Sequence, residues 1–536
     1  MSTPDFALKN VIGLQNVFVY DFDYRTKLLK KNGEEYESRI LDLQVRPYIH
    51  SQNLCPHCLQ KCPTYDHPSK NEVTWRSNNL NGTIVNLKYS PARVLCPKHG
   101  VVREFIPWAD GYSRFTSTFN DEVAWLATRL NKSEISTYLG INWRTVGNCV
   151  KASLRRNEPN LKDRLNSLVR IGIDEVSIHK GHSYITVVYN MDTNTACWIG
   201  QGHSNETMDE FASQLTNEQR KNIQLVAGDG AKWIDYACNK YFTNAQRCVD
   251  PYHVISWVNN SLNDMKNRIQ KECAKQLSNM QDQFNSIGTD CTELREKCQS
   301  VLDELYQKPA IYSSEIADIN NFMSVLDNVS SNDPEFGEID AQFTSRFKNT
   351  LTDIIERLKN SISNLKNSKY ALVKNPENLT QRQADKLSIL EAENPELYSA
   401  YRLKEGLRAI IHMGDPSAAT IELRSWIDDA QASGIAEFRA LSSKIARHFN
   451  NIIRSVTYGG NSAKSEACNG VIRGLIYQAR GFRSIENLKA LIYLKCSTIV
   501  VPLRGRYQPS AETAQEMREL AKERRIKRAY NKMQKS

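Results

Sequence analysis

Between residues 171 and 200 the apolar positions fall in short β-branched runs rather than at helical spacing. The stretch IGIDEVSIHKGHSYITVVYNMDTNTACWIG divides into three such runs joined by the turn segments HKGH and MDTNT, which predicts three antiparallel strands. NETMDEFASQL then predicts a helix, IQLVAGDG a buried fourth strand, AKWIDYACNKYF a helix and AQRCVD a fifth strand. Upstream, NVFVYDFDY and SRILDLQVRPYI alternate as strands about the polar turn KKNGEEYE, a lead-in hairpin. FNDEVAWLATRL, NKSEISTYLG and INWRTVGNCVKASLRR carry helical periodicity, the second segment starting after an Asn or Ser cap and stopping at Gly140. From about 254 to 460 nearly everything is amphipathic helix, including the heptad-like FKNTLTDIIERLKNSISNL. In SAKSEACNGVIRGLIYQARGFRS, Cys468, Val471, Ile472 and Leu475 make an apolar stripe that leaves Glu466, Asn469 and Arg473 on a polar side.

Carboxylates interrupt this pattern at informative places. Asp174 lies inside the first strand, where an ionised group is costly unless a cation or hydrogen-bond donors compensate it. Asp229 ends the fourth strand. Acids inside strand one and at the end of strand four form a ribonuclease H-like pattern, which calls for a third carboxylate on a much later helix. Glu466 is that candidate. Three convergent carboxylates repel, and two Mg²⁺ ions, for which Mn²⁺ can substitute, relieve the repulsion and suit phosphoryl transfer. After the fifth strand, Asp250 and His253 of DPYH are possible accessory residues, with a histidine capping the next helix as the plainer reading.

Two knuckles, CPHC and CPKH, supply Cys55, Cys58, Cys96 and His99, a ligand set with the softness and number that tetrahedral Zn²⁺ prefers. Cys62 and His57 are neighbouring competitors that the Cys-x2-Cys turn makes unnecessary. Four protein ligands leave no position for substrate, so the role expected is structural. The three helical segments within 119–156 fit a helix-turn-helix as well as a plain helical bundle; in the former, Arg144 and Thr145 open the recognition helix.

Composition narrows the setting. The 536 residues carry a net charge of +10, and eight basic against two acidic side chains crowd between Arg518 and Lys535, as in a solvated tail or a phosphate-contacting one. No run approaches the roughly 18 apolar residues of a membrane span, and the start, MSTPDFALKN, lacks the regions of a signal peptide. Thirteen cysteines, scattered except at the knuckles, suit a reducing compartment. The expectation is a cytoplasmic, DNA-associated protein without a membrane partner.

Taken together, GIDEVSIHKGHSYITVV, VAGDGAKW, DPYHV, LVKNPENLT, ENPELYSAYRLKEGLR and ARGFRSIENLKALI, with both knuckles and INWRTVG, resemble the DDE transposases of the bacterial insertion-sequence family called the ISL-three family. The resemblance runs over nearly the whole chain. It implies catalytic acids at Asp174, Asp229 and Glu466, the last standing 15 residues before the glycine of ARGF, and a D-x-x-H motif at Asp250 and His253. The implied activity is Mg-dependent cleavage and transfer of DNA strands, on terminal inverted repeats and target duplex, by a homo-oligomer of two or more copies. Lys464, Arg473, Arg480 and Arg483 are candidates for gripping phosphates beside the acids. The fold class expected is multidomain α+β: strands and a zinc module over 1–110, a helix-turn-helix over 111–160, a ribonuclease H-like core over 165–255 and 461–505, an all-helical insertion over 256–460, and a basic tail over 506–536. A nuclease or resolvase that cuts without joining, and a DNA-binding regulator derived from a transposase, are the competing readings.

Overall fold

The computed structural model describes residues 12–13, 16–31, 34–68, 72–111, 113–158, 160–179, 183–288, 290–332, 341–459 and 463–503. The turn at 180–182, part of the polar segment around 333–340 and the basic tail lie outside them. Two compact units are present: the first takes 1–226, 231–245 and 463–536, the second 227–230 and 246–462.

In the first unit, β1 (Val17–Lys31) and β2 (Glu34–Pro47) form the expected hairpin, longer than anticipated. Its strands run into the polar segment, with the backbone of residue 30 in register with 35 and that of 31 with 34. Next come β3 (Thr64–Asp66), β4 (Val73–Arg76), β5 (Ile84–Tyr89), β6 (Arg93–Cys96) and β7 (Gly100–Arg103). One sheet has the order β1-β2-β5-β4, packed on Trp75 and Trp108; a small sheet, β3-β6-β7, carries the second knuckle.

Three helices follow: α1 (Ser117–Ala127), α2 (Lys132–Leu139) and α3 (Trp143–Asn157). Asn131 closes a capping box with Glu134, and Gly140 ends α2 in the left-handed conformation at φ 64°, which glycine adopts without a Cβ penalty. Asn142 caps α3 by accepting from the Arg144 N–H at 2.8 Å.

Strands β8 (Arg170–His179), β9 (Ser183–Asn190) and β10 (Thr195–Gln201) pair antiparallel as expected. Helices α4 (Asn205–Ser213), α5 (Asn217–Asn222) and α6 (Lys232–Lys240) follow, interrupted by β11 (Leu225–Gly228) and succeeded by β12 (Gln246–Val249). The five strands have the order β10-β9-β8-β11-β12. Alternation sorts β8 onto two cores: Ile171 and Ile173 join Phe211 and Phe242 beneath α4 and α6. Val176 and Ile178 point the other way, into a core shared with the three helices of 117–157 and with two late helices.

The second unit is built from α7 (Pro251–Asn285), α8 (Cys291–Leu305), α9 (Ser313–Asn332), α10 (Ala341–Asn367), α11 (Lys369–Val373), α12 (Gln381–Glu393), α13 (Pro395–Ile411), α14 (Pro416–Ala432), α15 (Ala436–Arg447) and α16 (Phe449–Tyr458). Their apolar stripes meet in one core running from Val249 to Ile452. The two late helices, α17 (Ala463–Gln478) and α18 (Ile485–Cys496), return to the first unit. Among the described residues no helix is long and apolar enough to cross a membrane.

Candidate active site and metal cluster

Asp174 sits on β8 opposite Val187, on the sheet face that α17 covers. Its carboxylate finds the donors that its position in an apolar strand demands. One oxygen accepts from the Glu175 N–H at 2.8 Å, and the other accepts from the side-chain amide of Asn469. Asn469, 2% exposed, in turn accepts at its carbonyl from the Tyr189 hydroxyl at 2.5 Å. Burial, reinforced by Cys468 and Asp174, pushes the Tyr189 phenol well above its ordinary value, so it keeps its proton and donates. A hydrogen-bonded line therefore runs from β9 through α17 to Asp174.

Glu466, in the first turn of α17, is half-buried. Residues three apart share a helix face, so the face that delivers Asn469 to Asp174 also carries Glu466. Of the expected apolar stripe, Cys468, Ile472 and Leu475 are buried and Val471 is half-buried against the same core. Asn469 itself was grouped with the polar side in sequence, and the structure makes it a buried link.

In the second unit Asp229 follows β11 directly, and Arg247 donates to its carbonyl. Gly230 lies against Trp257 and His448: an added Cβ would meet the indole at 2.8 Å and the His448 Nε2 at 3.0 Å. Lys444 stands 3.8 Å over the Trp257 ring. Burial lowers its pKa, although the neighbouring Asp229 pulls the other way. Asp250 is 2% exposed; its N–H donates to the Gly228 carbonyl at 2.8 Å, and its side chain caps α7 by accepting from the Tyr252 N–H at 3.1 Å. The cap is thus Asp250 and not His253, whose Nε2 lies 4.0 Å from the Asp250 carboxylate within the first turn. Trp233 and Trp257 pack half-buried against apolar cores.

The knuckle residues meet. Cys55, Cys58, Cys96 and His99 bring their ligand atoms within 4.8 Å of one another. The edges are 3.7 Å between the Cys58 and Cys96 sulfurs, and 3.5 Å and 3.4 Å from Cys55 and Cys96 to the His99 Nδ1. Zinc bonds of about 2.3 Å to sulfur and about 2.05 Å to nitrogen imply tetrahedral edges of about 3.8 and 3.6 Å, so the cluster has the right size. Burial would raise the Cys96 thiol, but the N–H groups of Lys98 and His99 with the Cys55 and Cys58 thiols bring it down to about 7, favouring the thiolate a metal needs. Gly100 turns the second knuckle at φ 69°. Cys62 stays beside the cluster, with its thiol directed to the Gln60 carbonyl at 3.3 Å.

Arg144 is exposed at the start of α3, and Thr145 is half-buried. Arg480 and Arg483 are exposed and line a cavity of about 950 Å³ together with Lys132 and Trp143 from the starts of α2 and α3. Lys132 lies 4.5 Å over the Trp143 ring. Neither Lys132 nor Trp143 stood out in sequence; an aromatic beside the Asn142 cap was the available signal. Arg473 is exposed on α17, and the Lys464 side chain lies outside the described residues.

A family profile described as Transposase matches residues 171–329 and 339–492. Another, described as the helix-turn-helix domain of transposase family ISL3, matches 106–152. The transposase for insertion sequence element IS1557 of Mycobacterium tuberculosis is 30% identical over 465 residues, covering 87% of this chain and 90% of the relative. The transposase for insertion sequence element IS1001 of Bordetella parapertussis is 22% identical over 455 residues, covering 84% and 90%.

Proposed function

Because the chain belongs to the ISL3 family of transposases, we propose that Asp174, Asp229 and Glu466 together bind two Mg²⁺ ions and cleave and transfer DNA strands at the terminal inverted repeats of an insertion sequence. The observation that carries this reading is the donor line from Tyr189 through Asn469 to Asp174, which holds the carboxyl group on the face from which α17 also presents Glu466. Carboxylate oxygens are the hard donors that Mg²⁺ selects. When bound, the ions offset charge that develops on the attacking and departing oxygens of an in-line displacement.

The chain's own residues supply orientation. The Asn469 amide fixes one oxygen of Asp174 and the Glu175 N–H the other, so the carboxylate is held in one rotamer before substrate arrives. The strand order β10-β9-β8-β11-β12, with acids on β8 and after β11, supports a ribonuclease H-like core. The cluster of Cys55, Cys58, Cys96 and His99 is compatible with a structural Zn²⁺. Arg144 and Thr145, with Arg480 and Arg483 along the cavity beside Trp143, form the DNA-facing surface of this reading.

The test is a labelled duplex bearing the element's ends, incubated with Mg²⁺ or with chelator. Wild type should cut and join strands only with the metal, and Asp174→Asn should bind the duplex within about threefold of wild type while losing cleavage. Cleavage by Asp174→Asn at the wild-type rate would remove Asp174 from the reaction, and cleavage without joined product would leave a nuclease.

A further inference from the structure

Strand β1 is 15 residues long and stands at the edge of its sheet. Long flat edges invite another strand to pair with them, and proteins ordinarily blunt them. This one is instead patterned. A bulge between Val19 and Asp21 resets the alternation, after which Asp21, Asp23, Arg25 and Lys27 point to one face and Phe22, Tyr24, Thr26 and Leu28 to the other. The apolar members stay uncovered: Phe22 is 53% exposed, Tyr24 57% and Leu28 69%. Phe22 and Tyr24 stand opposite Leu43 and Leu41 of β2, which are buried, so the exposed aromatics extend the sheet's apolar face outward past its edge.

We propose that β1 pairs antiparallel with β1 of a second copy of this chain, about a two-fold axis through Tyr24. The two-fold requires self-complementarity, and the strand has it. Antiparallel pairing centred on Tyr24 sets Asp21 opposite Lys27 of the second copy and Asp23 opposite Arg25, each twice by symmetry. On the other face, Phe22 meets Thr26 and the two Tyr24 rings meet each other. Four opposite-charge pairs and an aromatic centre are the contacts that stabilise neighbouring strands. Shifting the centre by one residue either way halves the opposite-charge pairs from four to two and sets Asp23 against its own copy or Arg25 against its own copy, so the charges favour the Tyr24 centre. A nucleic-acid strand would ask for one sign of charge along β1, whereas the exposed face carries two acids and two bases. The basic C-terminal segment of this chain, with eight cations and two anions, fails to match the alternation for the same reason.

The test is sedimentation equilibrium on the full chain, with folding of every variant checked by zinc content. Wild type should dimerise without DNA. Asp21→Lys, and separately Lys27→Asp, each turn two attractive pairs into repulsive ones and should raise the dimer dissociation constant by about tenfold or more. The double variant Asp21→Lys/Lys27→Asp restores complementarity and should dimerise again. An equimolar mixture of the two single variants should form a heterodimer, since each supplies the charges the other needs. Mild oxidation should link Tyr24→Cys into a covalent dimer, because a residue opposite itself has Cα atoms about 4.5–5.5 Å apart. Thr26→Cys should stay unlinked, its two copies being separated by four residues along the strand. A wild-type chain monomeric at 100 μM (about the top of the useful range), a dimer indifferent to the charge reversals, or reversals that change DNA affinity alone would each overturn the proposal.

Discussion

Replacing Asn469 by Leu keeps side-chain volume while deleting both ends of the line between Tyr189 and Asp174. The Tyr189 hydroxyl, 2% exposed with its residue, would lose its acceptor at 2.5 Å; a buried donor left unsatisfied costs about 1–3 kcal/mol. Asp174 would lose one charge-assisted donor. Such a bond is worth about 1.5–3 kcal/mol, and because Asp174 is half-exposed, solvent returns part of it, leaving about 1 kcal/mol. Asn469→Leu should therefore destabilise by about 2–4 kcal/mol in equilibrium urea unfolding. Tyr189→Phe should cost about 1–2 kcal/mol, since only the amide carbonyl goes unmatched. In the double variant Tyr189→Phe/Asn469→Leu no polar atom of that bond remains, so the losses should fall short of additivity by about 1–2 kcal/mol. The same variants report on chemistry: with the amide gone, the Asp174 carboxylate keeps the Glu175 N–H but loses the donor on its other oxygen, so it is held less firmly and strand cleavage should drop by about tenfold or more while duplex binding holds. An Asn469→Leu chain within about 0.5 kcal/mol of wild type, additive with Tyr189→Phe and cleaving normally, would refute the role given to this line.

Cys96→Ser removes one corner of the ligand tetrahedron; zinc measured by elemental analysis should fall from about one equivalent to near none, with loss of the fold around β3, β6 and β7. Gly230→Ala drives a methyl to 2.8 Å from the Trp257 ring and should destabilise by about 1–3 kcal/mol, whereas Gly414→Ala, with nothing within 4 Å of the new Cβ, should be near neutral by the same unfolding assay. Asp42 is held below the ordinary carboxylate value: burial alone would raise it, but Asn86, Lys88 and Arg25 outweigh that. A depressed folded pKa contributes stability that is complete above the unfolded value of about 3.9 and lost as pH falls through the folded one. The stability gap between wild type and Asp42→Asn, about 1–2 kcal/mol at pH 7, should thus narrow only below about pH 4; a gap constant from pH 7 to pH 3 would contradict the assignment.

Much of the fold was legible because it depends on local periodicity. The strands β8, β9 and β10 follow from β-branched runs between turns, and α2 follows from Asn131, Glu134 and Gly140, each of which acts on residues within one helical turn. The zinc-type cluster was legible for a related reason. Each knuckle places two ligands by its own short turn, so only the meeting of the knuckles was left to tertiary structure. The hairpin was misjudged where local rules gave way: KKNGEEYE reads as a turn by composition, yet its lysines and glutamates lie opposite each other as a ladder. That the three helices of 117–157 are not an independent module was equally invisible in sequence. Their stripe predicts burial against something, and the partner is a face of the β8–β10 sheet with α17 and α18.

The candidate active site shows where local reasoning stops. An acid within an apolar strand has to be compensated, which is a statement about Asp174 alone and can be made from sequence. Which group compensates it is a statement about two positions 295 residues apart, joined by a third on β9, and no short-range pattern encodes that. Helix periodicity puts Asn469 on the polar side of α17, and the same periodicity puts Glu466 there. The first finds its place beside a strand carboxylate, which makes the polar side an inward-facing one. A helix that brings a second acid to the face packed on a strand acid adds repulsion between the two carboxylates, and cations held between them would offset it. That is the physical ground for reading Glu466 as a ligand and Asn469 as the residue that positions Asp174.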